Sequence, residues 1–555
     1  MLFSSYGFIF LFLPITYVGY LLAGRLAPAR VGQAWLIACS IAFYGIWNPI
    51  NLAVIFPSIA VNYAMARAIR SQLRRGEAGQ RMASVALVVG IAFNVAFLGY
   101  FKYKNFFLDT TNSLFGTGFA LGAIFLPLGI SFITFQKIAF LVDVRTELVK
   151  EFDLGEFLTF VFFFPQLIAG PIVHYREVVP QFQAARGRGL SSTDLAIGVA
   201  LFSIGLFKKV VLADGIAPHA NAIFAAGERG ETLGMARVWM GVLAYTLQVY
   251  FDFSGYSDMA IGAARLFGIK LPMNFNSPLK STSVIEFWNR WHITLTKFLT
   301  NYIYTPLLMR RTRARAAARK PILTRKAPTL GAFFALVAVP TILTMGLSGL
   351  WHGAGLTFVV WGLVHGAYLC INQAWRYWRP RQLPALVERC LPAASFVITS
   401  IAIVGAMVLF RAPSLETATH MLYQMVGGEG VRMPAAVLSG LGEFGRHLVA
   451  VGIVGDLSSG SEFVTTLLWL VPLYLLATLA PNSLQILSRF EPALDYKPDA
   501  KAPRPTRVSI SRVRAAGARA LTLSFSAAWA ASIAALFVFG VLGLNRAGEF
   551  LYWQF

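Results

Sequence analysis

The sequence predicts an all-α polytopic membrane protein, on the grounds of its composition and the length and pattern of its apolar runs. Of the 555 residues, 57% are hydrophobic and only 13% are charged, and the mean hydropathy of +0.62 is far above that of a typical soluble domain. Many apolar runs reach the roughly 20 residues that a helix needs to cross about 30 Å of hydrocarbon, and none shows β-barrel alternation. We expect roughly 11–13 membrane-embedded helices, including re-entrant elements, around a central cavity.

The net charge of +23 is strongly basic, and its placement along the chain indicates the kind of partner. The arginines are clustered in short loops between apolar runs, as the positive-inside rule predicts for cytoplasmic loops. We therefore expect contact with a lipid bilayer and no nucleic acid. Basic loops after the first and third apolar runs place the N-terminus outside. The three cysteines, Cys39, Cys370 and Cys390, lack metal-ligand spacing, so no metal site is predicted.

Changes in hydropathy divide the chain into three parts. Residues 1–120 are predicted N-terminal transmembrane helices, and the first lacks a basic n-region, so we expect it to be retained. Residues 121–382 form a predicted core with re-entrant elements. Residues 383–555 are predicted C-terminal transmembrane helices, with an extracytoplasmic loop at 411–462 and a basic cytoplasmic linker at 488–519.

Two apolar stretches of the core are expected to enter the membrane without forming plain spanning helices. Residues 155–170 are barely long enough to cross and end at Gly-Pro, so we expect a re-entrant element. Residues 345–366 contain Trp351-His352-Gly353 within a glycine-rich run that weakens a plain helix. An imidazole at membrane depth is costly unless it is partnered or lines a wet cavity. We expect a broken or re-entrant element that lines a cavity, and a purely structural hydrogen bond from His352 is the alternative.

The stretch 250–306 differs from the rest of the chain because it is aromatic and also rich in charged and polar residues. A lipid-facing helix would not tolerate so many charges, so we expect a partly wet interior lined by protein. The predicted cavity-lining residues here and in other apolar runs are Asn289, Trp291, Trp351, Asp252, Asp258, Gln136 and His174.

The chain resembles the membrane-bound O-acyltransferases, and among them the alginate O-acetylase branch. The resemblance spans most of the chain and rests on ordered motifs: MLFSSYGFIFLFLPI at the start, PLGISFITFQ at 127–136, FFPQLIAGPIVHY at 163–175, YFDFSGYSDMAIG at 250–262, FNSPLKSTSVIEFWNRWHITL at 275–295, GLSGLWHGAGLTFVVWGLVHG at 346–366 and FLYWQF at the end.

This resemblance implies acyl transfer to a hydroxyl, with His352 as the central residue. His292 falls at the family's second site position, which is His or Asn in different members. A neutral imidazole can take the proton of an attacking hydroxyl, a contribution of roughly 10²–10⁴-fold, and His352 is the predicted general base. We expect His292 either to hydrogen-bond the acyl carbonyl or to orient the acceptor, and Asn289 or the Trp291 N–H to polarise the developing oxyanion.

The resemblance also implies the other participants in the reaction. The expected donor is acetyl-CoA or an acylated carrier protein in the cytoplasm, with no bound cofactor. The expected acceptor is an extracytoplasmic polysaccharide such as alginate or another exopolysaccharide, reached across the bacterial inner membrane with an extracytoplasmic polysaccharide acetyltransferase as partner protein. Peptidoglycan O-acetylation and teichoic-acid D-alanylation stay open. A transporter that uses buried His and Asp as an ion or proton path is the non-enzyme alternative.

Several of these residues also have a structural interpretation. Asp252 and Asp258 are expected to pair with a buried arginine, either Arg265 or Arg290. His365 is expected to have a packing role, and Gln136 and Lys137 to pack between helices. His174 is predicted to lie either at a donor entrance or in an ordinary loop. His219, His420 and His447 are expected in exposed loops.

The arginine distribution gives a topology that labelling can test. Residues 67–81, 310–326 and 488–519 should be cytoplasmic, and residues 411–462 should be outside. In a cysteine-free background, an impermeant thiol reagent added to intact cells should not label Ala318→Cys. Rapid labelling from outside would contradict the predicted topology.

Overall fold

A computed structural model describes residues 2–26, 29–119, 122, 126–185, 191–380, 382–496, 522–546, 548 and 551. Eight helices within these ranges are long and apolar enough to cross a membrane. The predicted fold class is therefore confirmed: the chain is an all-α, multi-pass membrane protein. Most of the predicted basic linker, including residues 497–519, lies outside the described residues, as do Arg186 and Arg188.

The helices follow one another with short connections and five π-helical interruptions in the described chain. The N-terminal part contains Gly7–Phe12 (π), Leu13–Leu26, Ala29–Trp47, Ile50–Leu73, Gly76–Gly79 (3₁₀), Gln80–Leu98, Gly99–Tyr103 (π) and Lys104–Phe115. The first half of the core contains Ile130–Arg145, Leu154–Phe162, Phe164–Leu167, Tyr175–Ala185, Ser192–Phe207, Lys208–Ala213 (π), Asp214–Glu228 and Met235–Leu266.

The second half of the core carries both predicted functional histidines. It contains Pro278–Lys280 (3₁₀), Val284–Trp288, Ile293–Leu299, Thr300–Tyr304 (π), Thr305–Ala317, Leu330–Phe333, Phe334–Ala338 (π), Val339–His352 and Leu356–Trp378. The C-terminal part contains Ala385–Arg411, Leu415–Met425, strand Arg432–Pro434, Ala435–Gly440, Gly442–Ala450, strand Val454–Asp456, Gly460–Leu479, Ser483–Ile486, Ser488–Phe490 (3₁₀), Ala527–Gly543 and Leu544–Arg546 (3₁₀).

The helix Met235–Leu266, called the central helix below, is buried from Gly241 onwards apart from Leu243. It runs antiparallel to Ser192–Phe207 and approaches it closely at two glycine pairs. A Cβ atom on Gly205 would lie 2.5 Å from the carbonyl oxygen of Gly255, and one on Gly262 would lie 2.7 Å from that of Gly198. Such distances admit no side chain, so the two backbones touch directly.

Buried ion pairs lie beside the contact between these two helices. Their basic partners differ from those predicted for Asp252 and Asp258. Lys209 Nζ lies 2.8 Å from Asp252 and 2.7 Å from Asp214, and Lys208 Nζ lies 2.8 Å from Asp258. The structural pairing expected for Asp252 and Asp258 is present, but the predicted arginine partners were wrong. Those arginines bind other carboxylates, Arg265 to Asp194 at 2.7 Å and Arg290 to Glu286 at 3.0 Å.

The stretch around His352 forms a helical hairpin, defined here as Leu330–His352 and Leu356–Trp378 with its connection at Gly353–Gly355. The break predicted from the glycines is thus present. Each arm has 23 residues and is about 35 Å long, enough to cross a bilayer. A Cβ atom on Gly349 would lie 2.2 Å from the Phe358 carbonyl oxygen, so glycine lets the arms pack tightly.

Residues 155–170, for which we predicted a re-entrant element, form two short buried helices. Leu154–Phe162 has nine residues and Phe164–Leu167 has four, and neither can cross a bilayer alone. Asp153 starts the first helix through a capping box with Glu156. The chain turns at Phe163, where φ is −48° and ψ is 106°.

The region 411–462 is more ordered than the exposed loop that its composition predicted. Its first helix, Leu415–Met425, packs with Met421 and Met425 buried, and Gln424 Oε1 accepts a hydrogen bond from Leu233 N at 2.9 Å. Two short strands then pair in parallel, with Met433 opposite Gly455. His420 and His219, which were expected in exposed loops, lie on helices, and His219 Nδ1 is 2.9 Å from Thr466 Oγ1.

The glycine contacts predict opposite effects of one methyl group at two sites. Gly205→Ala should destabilise the protein by about 1–3 kcal/mol, because its Cβ would overlap the backbone of the central helix. A Cβ atom on Gly405 would have no heavy atom within 4 Å. Gly405→Ala should therefore leave the free energy of unfolding unchanged or raise it by up to about 1 kcal/mol, because alanine favours the helix. The measurement is the apparent unfolding temperature in detergent. Equal temperatures for the two variants would contradict the close contact.

Candidate functional site

His352 is the last residue of its helix, and side chains from a distant segment hold that helix end. Lys102 Nζ donates to the carbonyl oxygens of Trp351 at 2.6 Å and His352 at 3.2 Å. Tyr103 donates its hydroxyl hydrogen to the carbonyl oxygen of Leu350 at 2.7 Å. The final carbonyl groups of a helix lack intrahelical partners. These contacts satisfy them and hold in place the helix end that carries His352.

The imidazole of His352 is surrounded by aromatic rings and is only 4% exposed. Its ring centroid lies 4.8 Å from that of Trp351, 5.0 Å from Trp361 and 5.3 Å from Phe410. All three contacts are edge-on, an arrangement in which the rim of one ring meets the face of another. The side chain is therefore held by aromatic rings on three sides.

His292 is fully buried and sits at the start of the helix Ile293–Leu299 in a left-handed conformation, with φ 44° and ψ 52°. Its Nδ1 atom lies 3.1 Å from Oδ1 of Asn274, and its ring meets Phe253 edge-on at 4.7 Å. Few residue types other than Gly adopt this backbone conformation without strain, so it is a further constraint on the position.

The fold brings the two predicted histidines together. Their ring centroids are 6.4 Å apart, and the ring of Trp351 lies 6.1 Å from His292. Of the two, His352 lines the cavity described below, and His292 lies fully buried behind it. The geometry thus agrees with the pair that the motifs indicated.

A cavity of about 190 Å³ opens beside His352. It is bounded on one side by Lys102, Trp351 and His352, and on the other by the first turn of Ile130–Arg145. Gly129 precedes that turn with φ 70°, and a Cβ atom there would lie 3.1 Å from the Ile168 carbonyl oxygen. Ligand pockets are typically about 300–1,000 Å³, so this space suits an acetyl group and a hydroxyl rather than a whole donor.

A larger cavity, of about 850 Å³, lies elsewhere and has a different character. It is an apolar groove between the first helix, Ser192–Phe207 and Ala527–Gly543, and the polar residues of its described lining are serines. Acid–base chemistry needs a titratable group within reach of the reacting atoms. The smaller cavity is therefore the better candidate site.

Several predicted cavity-lining residues lie away from His352. Asn289 ends the helix Val284–Trp288 and is exposed, so it cannot polarise an oxyanion at the buried histidines. Trp291 packs against Phe275 and Phe287, at 5.1 and 5.5 Å between ring centroids. Asp252 and Asp258 are held in the ion pairs described above. Gln136 is 1% exposed on Ile130–Arg145 but is not part of the described cavity lining.

His174 and His365 are both buried in polar contacts of their own. His174 is 1% exposed and its Nδ1 lies 3.0 Å from the hydroxyl of Tyr302, which donates to Asp143 at 2.7 Å. It lies in the loop before Tyr175–Ala185, as one of the two interpretations expected, but it is buried there. His365 Nδ1 accepts from Trp288 Nε1 at 3.3 Å, in agreement with the predicted packing role.

Sequence reasoning missed Lys102 and Asn274. Lys102 follows the apolar run 84–101, so a cation at membrane depth was a signal that could have identified it. Asn274 has no such signal, because a single asparagine in a polar stretch is unremarkable without its contacts. Asn274 becomes recognisable only when the folded chain sets it against His292.

Comparison with known proteins agrees with this geometry. The model described as "MBOAT, membrane-bound O-acyltransferase family" matches residues 131–324. A protein named "Peptidoglycan O-acetyltransferase" from Helicobacter pylori is 39% identical over 459 residues, which cover 78% of this chain and 81% of the relative.

Two further relatives show the breadth of the similarity. A "Probable alginate O-acetylase" from Azotobacter vinelandii is 38% identical, over 77% of this chain and 78% of the relative. A "Teichoic acid D-alanyltransferase" from Streptococcus thermophilus is 30% identical, over 45% of this chain and 57% of the relative. The chain therefore belongs to the membrane-bound O-acyltransferase family and is an O-acyltransferase.

Proposed function

We propose that this protein transfers an acetyl group from a cytoplasmic donor, across the bacterial inner membrane, to hydroxyls of an extracytoplasmic polysaccharide. The observation that carries the proposal is the buried imidazole of His352 on a cavity of about 190 Å³, with the ring centroid of His292 6.4 Å from its own. The site lies at the closed end of a hairpin whose arms are each long enough to cross a bilayer. Only the acetyl group then has to pass from one face to the other.

The chemistry follows from a neutral imidazole beside a thioester. His352 takes the proton of the acceptor hydroxyl while the hydroxyl oxygen forms a bond to the acetyl carbon. The carbonyl becomes an oxyanion and then re-forms as the carbon–sulfur bond breaks. The proton passes from His352 to the departing thiolate, which leaves as a thiol. Acetyl-CoA and an acylated carrier protein both supply such a thioester, and neither requires a bound cofactor.

The acceptor is proposed as a polysaccharide because of the relatives' names and coverage. Relatives named for alginate and for peptidoglycan match at 38% and 39% identity over similar shares of the chain. Alginate or another exopolysaccharide is the first candidate, and peptidoglycan is the second. D-alanylation of teichoic acid has weaker support, since that match covers 45% of the chain. An extracytoplasmic acetyltransferase partner and an outside N-terminus complete the proposal.

The ion pairs of the central helix argue against the transporter alternative. Its Asp252 and Asp258 carboxylates are engaged by Lys209 and Lys208 at 2.8 Å, within a packed helix pair. An ion path needs charged groups that line a wet channel. These residues instead serve as scaffold.

Replacement of His352 tests the catalytic assignment. His352→Ala should lower acetylation of the polymer by at least ~10²-fold, because the general base is lost while the hairpin remains. The measurement is ester-linked acetate released by mild alkali from the cell envelope, normalised to the amount of the variant in the membrane. His365→Asn keeps an acceptor for the Trp288 N–H and should retain substantial activity. Near wild-type acetylation by His352→Ala would exclude His352 as the base.

The basic segment 310–326 carries eight basic residues and no acid, and it should attract an acidic donor by electrostatic steering. Arg315 is unsuitable for a charge reversal, because it donates to the Pro321 carbonyl oxygen at 2.8 Å. Arg310 and Arg313 are exposed. Their double change to Glu should weaken the donor's apparent affinity, more at low than at high salt.

The matched control is Arg446→Glu, an exposed arginine in the region predicted to lie outside. It should leave the donor's apparent affinity unchanged at either salt concentration. If the double variant behaves like this control at low ionic strength, the basic segment has no part in donor binding.

A further inference from the structure

Asn274 joins four segments of the core behind the ring of His292. Its Oδ1 atom lies 3.1 Å from His292 Nδ1 and accepts from the Thr294 hydroxyl at 2.9 Å and the Thr294 backbone N–H at 3.4 Å. Its Nδ2 donates to Ser257 Oγ on the central helix at 3.2 Å. The Thr294 hydroxyl oxygen in turn accepts from Ile172 N at 3.0 Å. Asn274 and His292 are both 0% exposed.

These contacts assign the oxygen of the Asn274 amide to the side that faces the imidazole. A backbone N–H can only donate, so the atom that meets the Thr294 N–H must be the amide oxygen. The Thr294 hydroxyl oxygen accepts from the Ile172 N–H through a lone pair, and its hydrogen is donated to the same amide oxygen. An amide oxygen can only accept, and His292 Nδ1 must therefore carry the hydrogen.

The tautomer decides between the two roles that the sequence left open for His292. With the hydrogen on Nδ1, the neutral ring has its lone pair on Nε2. A carbonyl oxygen also offers only lone pairs, so neutral His292 cannot donate a hydrogen bond to the acyl carbonyl. A hydroxyl can donate to Nε2. The acceptor, not the donor, is thus the natural partner of this ring.

We propose that Asn274 is a positioning residue that holds His292 in the Nδ1–H tautomer, so that Nε2 accepts a hydrogen bond from a hydroxyl of the acceptor sugar. Sugars carry neighbouring hydroxyls, and the two imidazoles are 6.4 Å apart between ring centroids. One hydroxyl bound by His292 then presents the adjacent one to His352. This inference rests on the proposed O-acetyltransferase function and specifies how its acceptor is oriented.

The test is a double-mutant cycle in the native strain, with each variant replacing the chromosomal copy. Ester-linked acetate in the cell-envelope polysaccharide is measured per amount of protein in the membrane. Asn274→Leu, which has no acceptor, should lower acetylation by roughly 10- to 100-fold, by analogy with the loss found when a partner that orients a metal-ligating histidine is removed. Added to His292→Ala, the same change should lower acetylation less than about twofold further, because Asn274 acts through His292.

Two more variants separate this role from general packing. Asn274→Asp keeps an acceptor for Nδ1–H and should retain most of the activity, and it decides the matter if the leucine variant fails to accumulate. The control is Asn276→Leu, in the same loop. It removes the amide oxygen that accepts from Asn482 Nδ2 at 3.0 Å, and acetylation by this variant should stay within about twofold of wild type.

Several outcomes would overturn the inference. They are wild-type acetylation by Asn274→Leu, an equal loss with and without His292, or a loss in Asn274→Asp as large as in His292→Ala. Full activity of His292→Ala would also overturn it, since Asn274 would have nothing to position. The proposed function would be unaffected by any of these provided that His352→Ala is still inactive, so the two failures can be told apart.

Discussion

Charged groups removed from water are costly unless opposite charges meet them, and the central helix depends on that condition. Asp252 and Asp258 meet Lys209 and Lys208, and glycine makes the approach possible, because a Cβ atom on Gly255 would lie 3.0 Å from Lys209 N. The C-terminal residues join the same network. The backbone N–H groups of Gly548 and Leu551 donate to Asp214 and Asp252, both at 3.2 Å. Gly548 and Leu551 are thus coupled to the ion pairs of the central helix.

Three of the π-helical segments supply the polar side chains that organise the interior. Lys102 lies in Gly99–Tyr103, Lys208 and Lys209 begin Lys208–Ala213, and Tyr302 lies in Thr300–Tyr304. A π-helical turn changes the direction in which the following residues face, and such turns occur often at functional sites. Each of these segments directs its polar group into the interior of the protein. These polar groups bind the carbonyl oxygens at the helix end of His352, the carboxylates of the central helix and the buried Asp143.

The sequence was sufficient for the fold class, for the break beside His352 and, through its motifs, for the histidine pair. The predictions failed where they depended on which way a side chain faces in the folded protein. Asn289 is close to His292 in sequence, yet it faces outward because the short helix before it ends there. Likewise, the partners of Asp252 come from a neighbouring helix rather than from the nearest arginines. Asn274 and Lys102 act through contacts with carbonyl and ring atoms, which no residue pattern records.

The left-handed backbone at residue 292 places its own limit on which side chains can occupy the site. Asparagine, aspartate and histidine enter this region several-fold more often than other residues with a Cβ atom, and β-branched residues are strongly disfavoured. The presence of histidine at residue 292 therefore has a backbone cause as well as a chemical one. A β-branched side chain there would strain the backbone even where its volume suits the site.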